Sequence, residues 1–441
     1  MSCNQTPETS DLLRFIKKSP TAFHAVAQIC EHLDQEGYLH LRESDEWSLC
    51  AGGKYYVTRN QSSVIAFSLP KGTPKSALIS ASHTDSPMFK LKPNGKSGAS
   101  GAYFLLNTEP YGGTILSSWL DRPLSLAGRV VLNRNGRMTA TPVDFDRDLL
   151  MIPNVAIHMN RSVNAGYSWN PAVDLRPVLS QNDQLSLNEL IAKELDCAPE
   201  EICGTDLYVY NRMEGTVWGA ENEFFSAPRI DNLMCAYGTL LGFTAAGSTE
   251  STLNIYYSAD NEETGSSTKQ GAGSVFLSDV LNRICESMGV DRRCLLASSF
   301  MVSADNGHAL HPNHPELSDG ANAPKMNRGV VIKSNAAQKY TTEGLSLAIF
   351  GEICRRAGVP VQYYSNRSDQ PGGSTLGSIS NTLVPLCTVD IGMAQLAMHS
   401  AYETAGCTDV SYLISAMTEF YQTEISAEGD GTVALSSERG Q

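Results

Sequence analysis

Five strand-length apolar runs lie in the second half of the chain: TLNIYYSAD, LLASSFMVSAD, GVVIKS, VPVQYYS and TLVPLCTVDIG. Helical stretches separate them. Runs that are apolar on both faces belong in the interior of a sheet covered on both sides. Strands alternating with helices therefore predict an α/β fold with parallel strands. The first part of the chain is consistent with this. Two helical patterns near residues 10–18 and 21–36 precede VIAFSLPKGTPKSALISAS, two β-rich runs around a Gly/Pro turn. Ser19-Pro20-Thr21 is a start signal for the second helix.

Between residues 93 and 225 the pattern changes. TILSSWL, LAGRVVLN and GRMTATPV are short and turn-separated, and predict an antiparallel, β-rich insertion with one helix near 186–195. The Gly, Ser, Asn and Pro of residues 92–112 read as its boundary. The division expected is thus 1–92 and 226–428 for the main domain, 93–225 for the insertion, and 429–441 as a disordered polar tail.

A chain of 441 residues is long enough for a main domain with a large insertion. Its net charge of −14 opposes nucleic acid or an anionic membrane as partner, because phosphate binding needs a basic surface. The sequence has no run of about 18 apolar residues and no signal-peptide pattern at its start, which predicts a cytoplasmic protein. The 11 cysteines are scattered without a CxxC pair, as reduced thiols are.

The polar residues of note cluster at strand ends. His83 and Asp85 follow SALISAS, Glu262 and Glu263 follow TLNIYYSAD, Asp305 and His308 follow SFMVS, and His399 follows TVDIG; Asp231 opens a helical run. In open α/β sheets ligands bind outside the carboxyl ends of the strands. Each signal alone has a plain structural reading, such as a helix cap for Asp231 or a first-turn acidic pair for Glu262-Glu263. Together they would form a buried negative cluster that must be protonated or hold a cation. Mixed imidazole and carboxylate donors suit zinc, with manganese and cobalt as alternatives. Of two adjacent glutamates, one can hold a metal while its neighbour moves a proton.

HTDSP, PRIDNL, DNEETGS, SADNGHALHPN, IKSNAAQKY, NRSDQPGGSTLG and QLAMHS, in that order, resemble the aspartyl aminopeptidase family of di-zinc exopeptidases. The resemblance runs from about residue 19 to 425. It implies a three-layer α/β/α zinc-peptidase sandwich interrupted by a β-rich dimerisation domain. It also implies two divalent metal ions. His83 and Asp305 would complete one metal site, Glu263 and His399 the other, and Asp231 would bridge them. Glu262 would be the general acid/base, and Asp85 would fix the tautomer of His83. The peptide after the bridging aspartate, Asp231–Asn232, would be cis. His158, in the insertion, would reach into a neighbouring subunit's site, where it would stabilise the tetrahedral intermediate. His308 and Lys333 would contact substrate, Lys333 pairing with an acidic side chain. The family assembles as a homododecamer of dimers and acts on peptides with a free amino terminus, its eukaryotic members preferring Asp or Glu. The rival readings are a same-fold aminopeptidase with neutral (Leu or Met) preference, a deacylase, and a non-catalytic shell or cargo protein. The absence of GxSxG opposes serine nucleophile chemistry.

Overall fold

The computed structural model describes residues 6–97 and 102–437. Its spine is a nine-stranded sheet. The strand order is Leu39–Leu41, Lys54–Arg59, Ser63–Ser68, Thr252–Ala259, Ser76–His83, Phe300–Ala304, Cys387–Gly392, Val330–Lys333 and Val361–Tyr364. The four strands from Thr252–Ala259 to Cys387–Gly392 run parallel. The sheet as a whole is mixed, not parallel throughout. Ser63–Ser68 and Val330–Lys333 each join the parallel block antiparallel.

Alternation along these strands feeds two separate cores. Val64, Leu78, Tyr256 and Val302 face one helical layer, and Ile65, Ile79, Ile255 and Met301 face the other. The first layer is built by Pro7–Lys17, Ala22–Gln35, Ile230–Ala246, Gly344–Arg356 and Cys407–Tyr421. The second contains Phe276–Met288, Arg292–Ala297 and Leu376–Ser380. A sheet buried on both faces between helices is the expected three-layer α/β/α sandwich. LLASSFMVSAD divides between the helix Arg292–Ala297 and the strand Phe300–Ala304.

The insertion is a six-stranded antiparallel sheet with its own core, including Phe89, Leu106, Leu126, Val130 and Val209. Its strands span Met88 to Asn211, so it starts and ends earlier than the sequence pattern suggests. Residues 92–112 read as a boundary because the strand Met88–Ser97 is buried at its start and exposed over its second half. In fact they contribute to two strands, Met88–Ser97 and Phe104–Tyr111; residues 98–101 lie outside the described part. Thr216–Trp218, expected in the insertion, and Phe224–Ala227, which straddles its expected end, form a small sheet with Glu403–Gly406, Ala394–Leu396 and Gly307–His308. TILSSWL is not a strand; its centre, Leu116–Trp119, is a 3₁₀ turn that buries Trp119. The helix Leu187–Leu195 lies where the sequence places it.

The polar tail also differs from expectation. Thr423–Gly429 and Thr432–Ser437 pair as a hairpin, with Ile425 buried and Val433 and Leu435 packed on the main core. Asp430-Gly431 forms its turn, with Gly431 at φ +74, a conformation that favours glycine. Of the tail, residues 438–441 lie outside the described part. No described helix is long and apolar enough to cross a membrane. All described cysteines are free thiols.

Candidate metal centre

Adjacent parallel strands deliver the first groups. His83 ends Ser76–His83, and its register partner Ala259 ends Thr252–Ala259. The chain then turns sharply through Asn261, at φ +61, into the 3₁₀ turn Glu262–Thr264, closed by Gly265 at φ +95. Asp305 follows Phe300–Ala304 directly. Asp231 and Asn232 break the start of the helix Ile230–Ala246 with non-helical torsions, and the peptide between them is cis, as the resemblance implies. His399 sits at φ +67 in the connection between two strands of the small sheet.

These side chains converge. His83 Nε2 lies 3.7 Å from Asp231 Oδ1 and 3.6 Å from Asp305 Oδ1. His399 Nε2 lies 3.3 Å from both Asp231 Oδ2 and Glu263 Oε2. Asp231 thus turns one oxygen to each histidine. His83, Asp231 and Glu263 can direct one donor atom each to a common point, with all three atoms within 4.8 Å of one another. Each imidazole is held through its other nitrogen: His83 Nδ1 meets the Asp85 carbonyl at 3.1 Å, with Asp85 Oδ1 at 3.3 Å, and His399 Nδ1 faces the Gly113 carbonyl at 3.0 Å. That leaves both Nε2 atoms turned inward, the arrangement in which a protein orients metal-binding histidines.

The electrostatics describe a cluster short of positive charge. Burial pushes the Glu262 carboxyl up to about 8, with Asp305, Asp85 and Asp231 adding to the shift and His83 opposing it. Burial and Asp231 hold Glu263 well above the usual carboxylate range. Burial disfavours charge on His399, but Asp231 and Glu403 outweigh it and raise that imidazole to about 9. Buried Asp231 Oδ1 and Glu263 Oε1 have no hydrogen-bond partner. Carboxylates crowded together out of water must take up protons or face a cation. The orphaned oxygens and the imidazole–carboxylate donor set fit zinc.

Other expected residues fall differently. Asp85 is at the centre of the site: its carboxylate accepts from the backbone N–H groups of Glu262 and Glu263 at 3.1 and 3.2 Å. His308 lies exposed on Gly307–His308, within electrostatic reach of Asp231, His399 and Asp305. Lys333 is buried, and its ammonium donates to the carbonyl oxygens of Asp305 at 2.7 Å and Asn306 at 3.4 Å, with Asp305 Oδ2 at 3.6 Å. It faces Asp305 rather than an open substrate pocket. Burial acts to raise Asp305, but Lys333 and His83 hold it down at about 2. His158 lies in an exposed turn among Val155, Ile157 and Met159, and the fold of one subunit does not bring it to the cluster.

Sequence reasoning missed two partners, buried Glu403 and half-buried Tyr111. Glu403 accepts from the backbone N–H groups of Asp231 at 2.9 Å and His399 at 2.7 Å, so it ties together residues far apart in sequence. Tyr111, from the inserted sheet, donates to Asp85. A carboxylate in the small-residue strand ETAG was the available signal for Glu403; nothing local marked Tyr111.

A mixed α/β sheet that gathers imidazoles and carboxylates at its carboxyl edge defines a metallohydrolase of the zinc-peptidase type. The aminopeptidase I zinc metalloprotease family (M18) matches residues 15–421, and the chain belongs to this family of zinc-dependent aminopeptidases. It is 44% identical over 430 residues to an M18 family aminopeptidase 2 of Clostridium novyi (strain NT), covering 95% of this chain and 99% of that protein. A counterpart in Pseudomonas entomophila (strain L48) is 38% identical over 421 residues, covering 93% and 97%. Among solved structures, the complex of Ape4 and Nbr1 matches with a TM-score of 0.90 at 36% identity, covering 93% of this chain and 85% of that one. The mApe1 dodecamer of S. cerevisiae matches with a TM-score of 0.83 at 26% identity, covering 93% and 95%.

Proposed function

We propose that this aminopeptidase removes single residues from the free amino terminus of peptides at a site that holds two zinc ions. The carrying observation is that Asp231 offers one carboxylate oxygen to each of two inward-facing imidazoles. In this reading His83 and Asp305 complete one metal site, Glu263 and His399 the other, and Asp231 bridges them. Zinc, when bound, supplies Lewis acidity that polarises the first peptide carbonyl and makes water acidic near neutral pH. Glu262 sits at the cluster with its carboxylate pushed toward proton uptake, which suits a group that takes a proton from the attacking water and returns it to the leaving amine. Asp85 fixes the imidazole tautomer of His83 and the turn that carries Glu262.

The family resemblance supports a preference for amino-terminal Asp or Glu; buried Lys333 does not supply an open partner for that side chain. The dodecamer of S. cerevisiae mApe1 supports self-association of this chain; the family resemblance adds assembly from dimers through the insertion, with His158 serving a neighbouring site and His308 near substrate. The net charge of −14 opposes nucleic acid and anionic membrane partners, and a cytoplasmic location is part of the same reading.

The test is hydrolysis of a panel of amino-terminal p-nitroanilides and dipeptides by metal-reconstituted protein and by Glu262→Gln. The expected result is cleavage of Asp and Glu substrates, falling by about 10²–10⁴-fold in the variant while two metals stay bound, as removal of a general base does. Cleavage of Leu or Met substrates instead removes the acidic preference. A wild type with two bound metals and no aminopeptidase activity on any substrate turns the reading to a deacylase or a shell protein.

A further inference from the structure

The strand Phe104–Tyr111 of the inserted sheet pairs antiparallel with Met88–Ser97, with Tyr111 opposite Met88. Met88 lies three positions beyond Asp85, so the hairpin returns its last residue to the place where the chain leaves the site. Tyr111 Oη donates to Asp85 Oδ2 at 2.6 Å and accepts from Asn261 Nδ2 at 2.8 Å. Its ring packs edge-on against Tyr208, with centroids 5.6 Å apart. Asp85 therefore meets four donors: the Glu262 and Glu263 amides and the Tyr111 phenol at its carboxylate, and His83 Nδ1, 3.1 Å from its carbonyl oxygen and 3.3 Å from Oδ1. Of these four, the phenol alone comes from the insertion.

The next two residues reach the other imidazole. Gly112 holds φ +71, and a Cβ there would stand 3.0 Å from Glu263 Cβ and 3.4 Å from Pro87 Cβ, so the backbone passes directly over the glutamate turn. The Gly113 carbonyl accepts from His399 Nδ1 at 3.0 Å, and the Ile115 amide donates to the His399 carbonyl at 2.9 Å. One short segment thus touches the orienting partners of both histidines.

We propose that Tyr111-Gly112-Gly113 is a positioning strap through which the insertion sets the site of its own subunit, with Tyr111 fixing the Asp85 carboxylate and Gly113 fixing the His399 ring. Without the phenol, the Asp85 carboxylate keeps only the His83 and amide contacts and is held less tightly against the Glu262–Glu263 turn. Without the glycines, the backbone cannot pass over Glu263. This assignment rests on the metal-site reading above for its catalytic consequence, but the restraint on the glutamate turn stands on the hydrogen bonds alone.

The experiment compares the full-length wild type with Tyr111→Phe, and uses Gly112→Ala as a second variant. Hydrogen exchange at the Glu262 and Glu263 amides is measured first in chelator-treated protein. Zinc affinity is then measured by competition with a chromophoric chelator, together with the visible absorption of the Co²⁺ form and steady-state kinetics. Tyr111→Phe is expected to keep its unfolding temperature and exchange these amides faster. It should bind zinc about 10–100-fold more weakly, as loss of a group that orients a metal-binding residue does. Its Co²⁺ spectrum should change, and kcat should fall with little change in KM. Gly112→Ala should show the same exchange, zinc and kinetic pattern, with a lower unfolding temperature because alanine is strained at this φ. Unchanged exchange in the chelated protein overturns the strap. So do zinc affinity and kcat equal to the wild type in both variants. A wild type that binds no zinc instead overturns the metal-site reading, and the exchange result still judges the strap.

Discussion

The two halves of the site are built differently. His83 and Asp305 stand at the ends of neighbouring parallel strands, Ser76–His83 and Phe300–Ala304, whose register the central sheet fixes. His83 is nearly inaccessible, and Lys333 backs Asp305 from a third strand. His399 has no such support from the sheet, and Glu263 sits on the turn beyond Thr252–Ala259 rather than on a strand end. His399 lies in a connection at positive φ and keeps about a third of its side chain exposed, at 31%. Glu403 and the Gly113 carbonyl hold it in place. The first half is positioned by secondary structure, the second by side chains and by a segment from another sheet. A sheet edge fixes donors through strand register, whereas loop-borne donors need a surrounding shell of hydrogen bonds.

This contrast predicts where damage will appear. Lys333→Met leaves the Asp305 carboxylate buried without its cation, and breaking a buried pair from one side costs about 3–5 kcal/mol. The expected result is a large drop in unfolding free energy in denaturant titration of the chelated protein. Turnover should fall on Asp and Leu substrates alike. Selective loss on acidic substrates would return Lys333 to the substrate pocket. Glu403→Gln strikes the other half. An amide cannot accept from both the Asp231 and His399 backbones as the carboxylate does. Zinc binding should weaken by about 10–100-fold. Thermal unfolding of the chelated protein should change less than for Lys333→Met. If the order of the two stability losses is reversed, the halves are not built as described.

The smallest effect concerns pH. Glu262 and Glu403 are raised to about 8, both chiefly by burial, and His399 to about 9 against the opposing effect of burial. A group whose folded pKa lies above its unfolded value stabilises fully below the unfolded pKa, and that stability is lost as pH rises through the folded one. For the carboxyls the loss starts near their ordinary pKa of about 4.3, and for His399 near about 6.5. Chelated protein should therefore lose unfolding temperature steadily from about pH 5 to about pH 9, while zinc, by taking over the role of these protons, should flatten the slope. Equal slopes with and without zinc would separate these shifts from the metal site.

How much of this was legible depends on the range of the signal. The apolar runs announced the central strands because alternation and burial are local properties. The tail misled because polar residues on the outer face of a two-stranded hairpin look like disorder, although Asp430-Gly431 marked its turn. The segment TILSSWL looked like a strand, but its bulky residues serve a turn that buries Trp119. For Lys333 the motif placed the residue near the site, but the direction of a long side chain depends on which neighbour fills the space beside it.

By itself the sequence determined the α/β class, the presence of a β-rich insertion, and the chemical types gathered at the strand ends, since hydrophobic period and residue identity are carried along the chain. Only the tertiary structure decided that Glu403 joins Asp231 to His399, that Tyr111 crosses from the insertion to Asp85, and that Lys333 turns to Asp305. The Tyr111–Asp85, Lys333–Asp305 and Asp231–Glu403 contacts join residues 26 to 172 positions apart, and no local pattern encodes which distant donor will find which acceptor.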